Sequence, residues 1–171
     1  MQPLLFIDRD GTIVQETDDE KVDKIEKLTF LPDVLFYLRK ICEETDFILV
    51  MVTNQDGVGT SHFPEEEFWP VHDFIIRTLE GEQIRFEAVH IDTHYESDNH
   101  PDRKPNTGML THYMNGFFNL ANSYVIGDRV SDVQLARNLG SKAIHICSER
   151  QTDAELTTES WKEIYEFLVS D

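Results

Sequence analysis

Two aspartates one residue apart, Asp8 and Asp10, close the apolar run Leu4 to Asp8 and lead into Gly11. Side chains on a strand alternate faces, so the pair tends to share a side. Carboxylates that close repel and raise each other's pKa. Such a pair is tolerated where a cation lies between them, or where one carboxyl needs a shifted pKa for proton transfer. The stretch reads equally as a strand ending in an Asp-Gly turn. Other polar groups follow apolar runs in the same way: Thr53 and Asn54, then Asp128, while Arg103 and Lys104 stand just before Pro105. Singly, each has a plain reading as a cap, a turn or a solvated charge. As a set they supply carboxylates, a hydroxyl and a strong cation, which together can hold a divalent metal and a phosphoryl group.

Positioning such a set requires elements that end at one edge. Five short runs rich in β-branched residues, 4–8, 47–54, 86–92, 123–128 and 142–147, have the continuous apolarity of strands buried on both faces. Between them lie helical patterns at 32–44, 64–80, 107–118 and 131–139, and a last one at 160–169. In the second, Phe68, Val71, Phe74, Ile75 and Leu79 face inward, and the fourth ends at Gly140 as a C-cap. Strands alternating with helices predict a Rossmann-like three-layer α/β/α fold around a mostly parallel sheet. Ligands in such sheets bind beyond the carboxyl ends of the strands, where the polar set lies. The acidic stretch 16–27 reads as a solvated insertion or a small hairpin.

The 171 residues suit one domain, with 40% hydrophobic and 11% aromatic residues for its core. A net charge of −18 repels phosphate backbones and anionic bilayers, so neither nucleic acid nor a membrane is an expected partner. No apolar run approaches the ~20 residues of a membrane span. The N-terminus lacks the basic and apolar regions of a signal peptide. Cys42 and Cys147, each in or beside an apolar run, read as two buried thiols in a reducing cytoplasm.

D-R-D-G-T at 8–12, T-N at 53–54, K-P at 104–105 and G-D-R-x-x-D at 127–132 resemble, in order, the four motifs of the haloacid dehalogenase-like phosphatases. There is little room for a cap domain between Thr12 and Thr53 or between Asn54 and Lys104, which resembles the cap-less branch. T-N-Q-D-G-V-G-T at 53–60, followed by F-P-E-E-E-F-W-P-V-H at 63–72, is similar to the histidinol-phosphate phosphatase domain of the bifunctional histidine-biosynthesis enzyme. There the phosphatase is often the N-terminal half of a longer chain with a dehydratase behind it. The resemblance spans residues 4–147 of what reads as a single phosphatase domain, 1–171.

The resemblance implies Mg²⁺-dependent hydrolysis of L-histidinol phosphate through an aspartyl-phosphate. Asp8 is then the nucleophile and Asp10 the acid and later the base. Asp8, the Asp10 carbonyl and Asp128 hold the metal. Thr53, Asn54, Lys104 and Arg103 grip the phosphate. Asp132 is either a further ligand or an ordinary first-turn acid. Gly11 lets a backbone N–H face the phosphate. Glu16, Asp18 and Asp19 are expected to attract the cationic half of the substrate, or else form a solvated loop. Phe63 and Trp69 either stack on its imidazole or belong to the core. Two alternatives stand beside this reading: a heptose bisphosphate phosphatase, and a non-catalytic α/β interaction domain.

These phosphatases usually carry a zinc loop before the lysine, spaced C-x-H-x5-C-x-C. Here the positions hold Asp92, His94, His100 and Asp102. The spacing survives and the thiolates do not, so the expectation is a loop closed by its own hydrogen bonds, with a weak zinc site as the alternative.

Overall fold

A computed structural model describes residues 1–149 and 152–170. Six strands run parallel in the order β3-β2-β1-β4-β5-β6. They are β1 (Leu4–Ile7), β2 (Ile48–Asn54), β3 (Ala88–Asp92), β4 (Tyr124–Gly127), β5 (Lys142–His145) and β6 (Leu156–Thr157). The first five match the apolar runs. β6 has two residues, too few to show a period.

Alternation on these strands feeds two cores, which makes the fold three-layered. Leu5, Ile7, Leu49, Met51, Tyr124, Ile126 and Ile144 pack on one face. They meet Val34, Leu38 and Ile41 of α1 (Val34–Glu44), Val71, Ile75 and Leu79 of α2 (Glu65–Gly81), and Trp161, Ile164 and Leu168 of α4 (Trp161–Leu168). Leu4, Phe6, Val50, Val52, Val125 and Ala143 pack on the other face, against Val133, Ala136 and Leu139 of α3 (Val130–Leu139). Trp161 also ties the helical layer to the loop after β1, donating Nε1–H to the Thr12 carbonyl at 2.9 Å.

Three sequence expectations change. Phe74 is not inward but 47% exposed, one position off the stripe that buries Val71 and Ile75. The pattern at 107–118 is not an α-helix. A 3-10 segment runs from Gly108 to Met114, and its buried pair Leu110 and Tyr113 fits three residues per turn. Gly108 donates to the Pro101 carbonyl at 2.9 Å, and Gly116 at φ 84 follows the segment. Cys42 and Cys147 are half-buried and unpaired, not core thiols. The stretch after β1 does close as a narrow hairpin-like excursion: Val14 bridges Phe30 antiparallel, and Gln15 N–H donates to the Thr29 carbonyl at 2.7 Å.

The strand order reverses direction at β1, between its neighbours β2 and β4. That crevice, outside the carboxyl ends, is where open parallel sheets bind ligands. Asp8 enters it directly, held by its N–H to the Ile126 carbonyl at 2.9 Å.

Candidate active site

At the reversal Lys104 lies between two carboxylates. Its Nζ is 2.9 Å from Asp8 Oδ1 and 2.7 Å from Asp132 Oδ1, and all three residues are buried. Asp8 Oδ1 also accepts the Arg9 N–H at 2.7 Å. Burial pushes the Asp8 carboxyl up to about 6, against the pull of Lys104 and with the push of Asp132. Burial acts to lower the Lys104 ammonium, but Asp132 and Asp8 overcome it and its pKa is raised. Asp132 serves two ends at once. Oδ1 takes Lys104 while Oδ2 accepts the Arg129 N–H that opens α3, at 3.1 Å, as a first-turn acid does.

Asp128, just beyond β4, completes a carboxylate cluster. One oxygen each from Asp8, Asp128 and Asp132 lie within 4.8 Å of one another. Burial first, then the charges of Asp8 and Asp132, push the Asp128 carboxyl up to about 8. Its Oδ1 is buried without a hydrogen-bond partner. Three converging carboxylates with one orphaned oxygen suit a hard divalent cation such as Mg²⁺. His145 sets the loop from behind, donating Nε2–H to the Asp128 carbonyl at 3.0 Å.

Gly11 has a different task from the one the sequence suggests. Its N–H goes to the Val14 carbonyl at 2.8 Å, not to the cleft. Its φ is 72, and a Cβ there would lie 2.1 Å from Asp128 Oδ2. The glycine makes the turn and lets the Asp128 carboxylate approach.

A cleft of about 1120 Å³ opens over the cluster, lined by Asp8, Asp10, Thr53, Asn54, Arg103 and Lys104 among others. Asn54 is occupied: its Oδ1 accepts the Lys104 N–H at 3.1 Å and its Nδ2 donates to the Lys104 carbonyl at 3.3 Å. It therefore fixes the backbone that carries Lys104. Arg103 pairs with Asp56 and donates to the His94 carbonyl. Asp10 is not paired against Asp8. Its carboxylate meets the buried Arg9, so Asp10 is the least of the influences on Asp8.

Of the acidic residues after motif one, Glu16, Asp19 and Glu20 line the cleft and Asp18 does not. Glu16 pairs with Arg129, and Asp19 with Lys27 at 2.7 Å. The Lys27 hydrogen bond holds the exposed Asp19 carboxyl down at about 2. Phe63 is buried yet reaches the cleft wall, while Trp69 packs on Phe68 and His72 away from it.

In the 92–102 loop, one ligand atom each from Asp92, His94 and His100 lie within 4.8 Å of one another, with no thiolate among them. Asp92 is buried and caps the loop, its Oδ1 2.8 Å from His94 Nδ1 and its Oδ2 accepting the His94 N–H at 3.1 Å. His94 and His100 stack with ring centroids 3.5 Å apart and planes 7° apart. Both Nδ1 atoms face the same Asp92 oxygen, Oδ1, at 2.8 Å from His94 and 3.7 Å from His100. Asp102 stands 3.8 Å from His100, with its side chain 44% exposed.

A family model described as HAD-hydrolase-like matches residues 102–168, a stretch that contains Lys104, Asp128 and Asp132. The chain belongs to the haloacid dehalogenase-like hydrolases. Among its relatives, the histidine biosynthesis bifunctional protein HisB of Spirosoma linguale is 48% identical over 186 residues, covering 98% of this chain and 49% of the relative. HisB of Bacteroides fragilis is 47% identical over 175 residues, covering 96% and 47%. The chain thus spans about half the length of the curated relatives it matches. A D,D-heptose 1,7-bisphosphate phosphatase from B. bronchiseptica, solved with magnesium and phosphate, superposes with a TM-score of 0.84 at 23% identity, over 98% of each chain. That likeness speaks for the hydrolase fold alone.

Sequence reasoning missed three polar residues beside this hydrolase site: Arg9, Gln55 and His72. Arg9 carried a signal. Alternation turns the residue between Asp8 and Asp10 inward, and a buried guanidinium demands partners.

Proposed function

We propose that the chain is a Mg²⁺-dependent phosphomonoesterase acting on L-histidinol phosphate. The observation that carries the chemistry is Lys104 spanning Asp8 and Asp132 beside the orphaned Asp128 oxygen. An Asp8 oxygen attacks phosphorus, and the ester P–O bond breaks as Asp10 gives its proton to the departing alkoxide. Water then attacks the aspartyl-phosphate, Asp10 takes its proton, and phosphate leaves. Lys104 offsets charge on Asp8 and on the transferring group. The Thr53 hydroxyl and Arg103 hold phosphoryl oxygens. Mg²⁺, held by Asp8, Asp128 and the Asp10 carbonyl with Asp132 alongside, would screen the dianion from the carboxylates.

The substrate follows from the likeness to the HisB proteins and from charge. Histidinol phosphate brings an ammonium that an acidic rim attracts. A bisphosphate would need a second basic site, yet beyond Arg103, which is assigned to the first phosphoryl group, Arg129 on the cleft wall is paired with Glu16 and Lys21 donates to the His62 carbonyl. In a kinetic panel with Mg²⁺, kcat/KM for L-histidinol phosphate should stand well above that for a heptose bisphosphate or a nucleic acid 3′-phosphate. Asp8→Asn should abolish turnover while remaining folded. A preference for the heptose ester would overturn the substrate, and full turnover by Asp8→Asn would remove the covalent route.

A further inference from the structure

The Arg9 guanidinium is fully buried, and each of its nitrogens has a partner. Nε donates to Asp10 Oδ1 at 2.9 Å, and Nη2 to Asp10 Oδ2 at 2.9 Å. Nη2 also donates to Gln55 Oε1 at 2.9 Å, and Nη1 lies 3.3 Å from His72 Nδ1. Phe68 lies under the group, 5.2 Å from ring centre to Cζ, and stacks on His72.

Because a guanidinium only donates, it fixes every direction around it. His72 must accept at Nδ1 and carry its proton on Nε2. Burial, then the Arg9 charge, lower the imidazole to about 4, in keeping with a neutral ring. Gln55 must turn Oε1 toward Arg9. Its Nε2 then donates to Asp10 Oδ2 at 2.8 Å and to Thr53 Oγ1 at 2.9 Å. Asp10 Oδ2 therefore accepts two hydrogen bonds, one for each lone pair, while Oδ1 accepts one from Arg9. One lone pair, on Oδ1, is left over.

We propose that Arg9, acting with Gln55, is the positioning residue of the general acid: it locks the Asp10 carboxyl so that Oδ1 alone exchanges a proton with the leaving oxygen. This rests on the phosphomonoesterase reading above. The bidentate fork selects the geometry, because a lysine at this position offers a point charge and cannot hold both oxygens in one plane.

The test separates proton delivery from general damage by varying the leaving group. An aryl ester such as p-nitrophenyl phosphate departs with little need of a proton, whereas the alkoxide of histidinol phosphate needs one. The ratio kcat/KM reports the steps up to transfer onto Asp8, so the later use of Asp10 as a base does not enter. Arg9→Lys and Gln55→Met are measured with both esters at saturating Mg²⁺. Gln55→Met leaves the Arg9–Asp10 pair in place, so it covers the case in which the Arg9 variant does not fold. In Gln55→Met, and in Arg9→Lys where it folds, the loss on histidinol phosphate should exceed that on the aryl ester by tenfold or more, within the ~10²–10⁴ ascribed to general acid catalysis. Equal losses on both esters, with wild type active on both, overturn the inference and leave the function standing. A wild type inactive on both esters overturns the function, and the inference with it.

Discussion

Lys104 is the only cation in contact with the buried oxygens of Asp8 and Asp132 among the described residues. Replacing it with Met leaves those carboxylates and Asp128 facing one another. Breaking one side of a buried ion pair costs about 3–5 kcal/mol. Metal-free Lys104→Met should therefore melt well below wild type, recover part of the loss in Mg²⁺, and turn over very slowly. An unchanged melting temperature in chelator would contradict the pairing. Metal binding should also depend on pH. Asp128 is raised to about 8 in the folded protein, so its proton stabilises the metal-free fold at low pH, and that stability is lost as pH rises through 8. His72, lowered to about 4, is neutral in the folded protein throughout that window, and the unfolded imidazole's loss of its remaining proton above pH 6.5 offsets only about 0.4 kcal/mol. Between pH 6.5 and 8.5 the metal-free protein should lose on the order of 1–2 kcal/mol. Mg²⁺ requires the ionised ligand, so its stabilising shift should be larger at pH 8.5. Thermal melts with and without Mg²⁺ at the two pH values check this, and equal shifts would count against Asp128 as a ligand.

At the scale of elements, what the sequence made legible was periodic. The five longer strands, α1 to α4, and the polar groups at the strand ends followed from runs and stripes long enough to show a period. What it hid was local and tertiary. β6 has two residues, and the 3-10 segment at Gly108–Met114 shares its buried i, i+3 pair with an α-helix. The Arg9–Gln55–His72 group joins residues up to 63 positions apart, which no spacing rule connects. Motif positions were visible in the sequence, but the tasks of two were not. Asn54 turned out to hold a backbone, and Gly11 to clear space for Asp128. The 92–102 loop keeps a spacing from which the thiolates are missing. Asp92 and the stacked pair His94 and His100 close it with hydrogen bonds and ring contact. Purified protein should carry well under one zinc per chain, and a zinc-selective chelator should leave its melting temperature nearly unchanged. Elemental analysis finding one tightly held zinc would refute this account of the loop.

At the scale of the whole molecule the charge of −18 sets which anions approach the cleft at all. A negative field slows anionic ligands in proportion to their charge, and salt weakens it as the Debye length falls from ~10 Å at 0.1 M to ~3 Å at 1 M. Histidinol phosphate carries a dianion and at least one cation, so it meets this field as roughly a monoanion. A heptose bisphosphate meets it with two dianions and no cation. On the proposed function, selectivity would have two sources, which salt can separate. One is direct contact inside the cleft, at distances well under the Debye length, where added salt acts less than it does on the long-range field. The other is the long-range field. Raising ionic strength from low salt to 0.5 M should therefore increase kcat/KM for the bisphosphate more steeply than for histidinol phosphate. The preference should narrow without reversing. A preference that stays constant across this range would assign discrimination to the cleft alone, and a reversal would mean that the cleft itself favours the second phosphate.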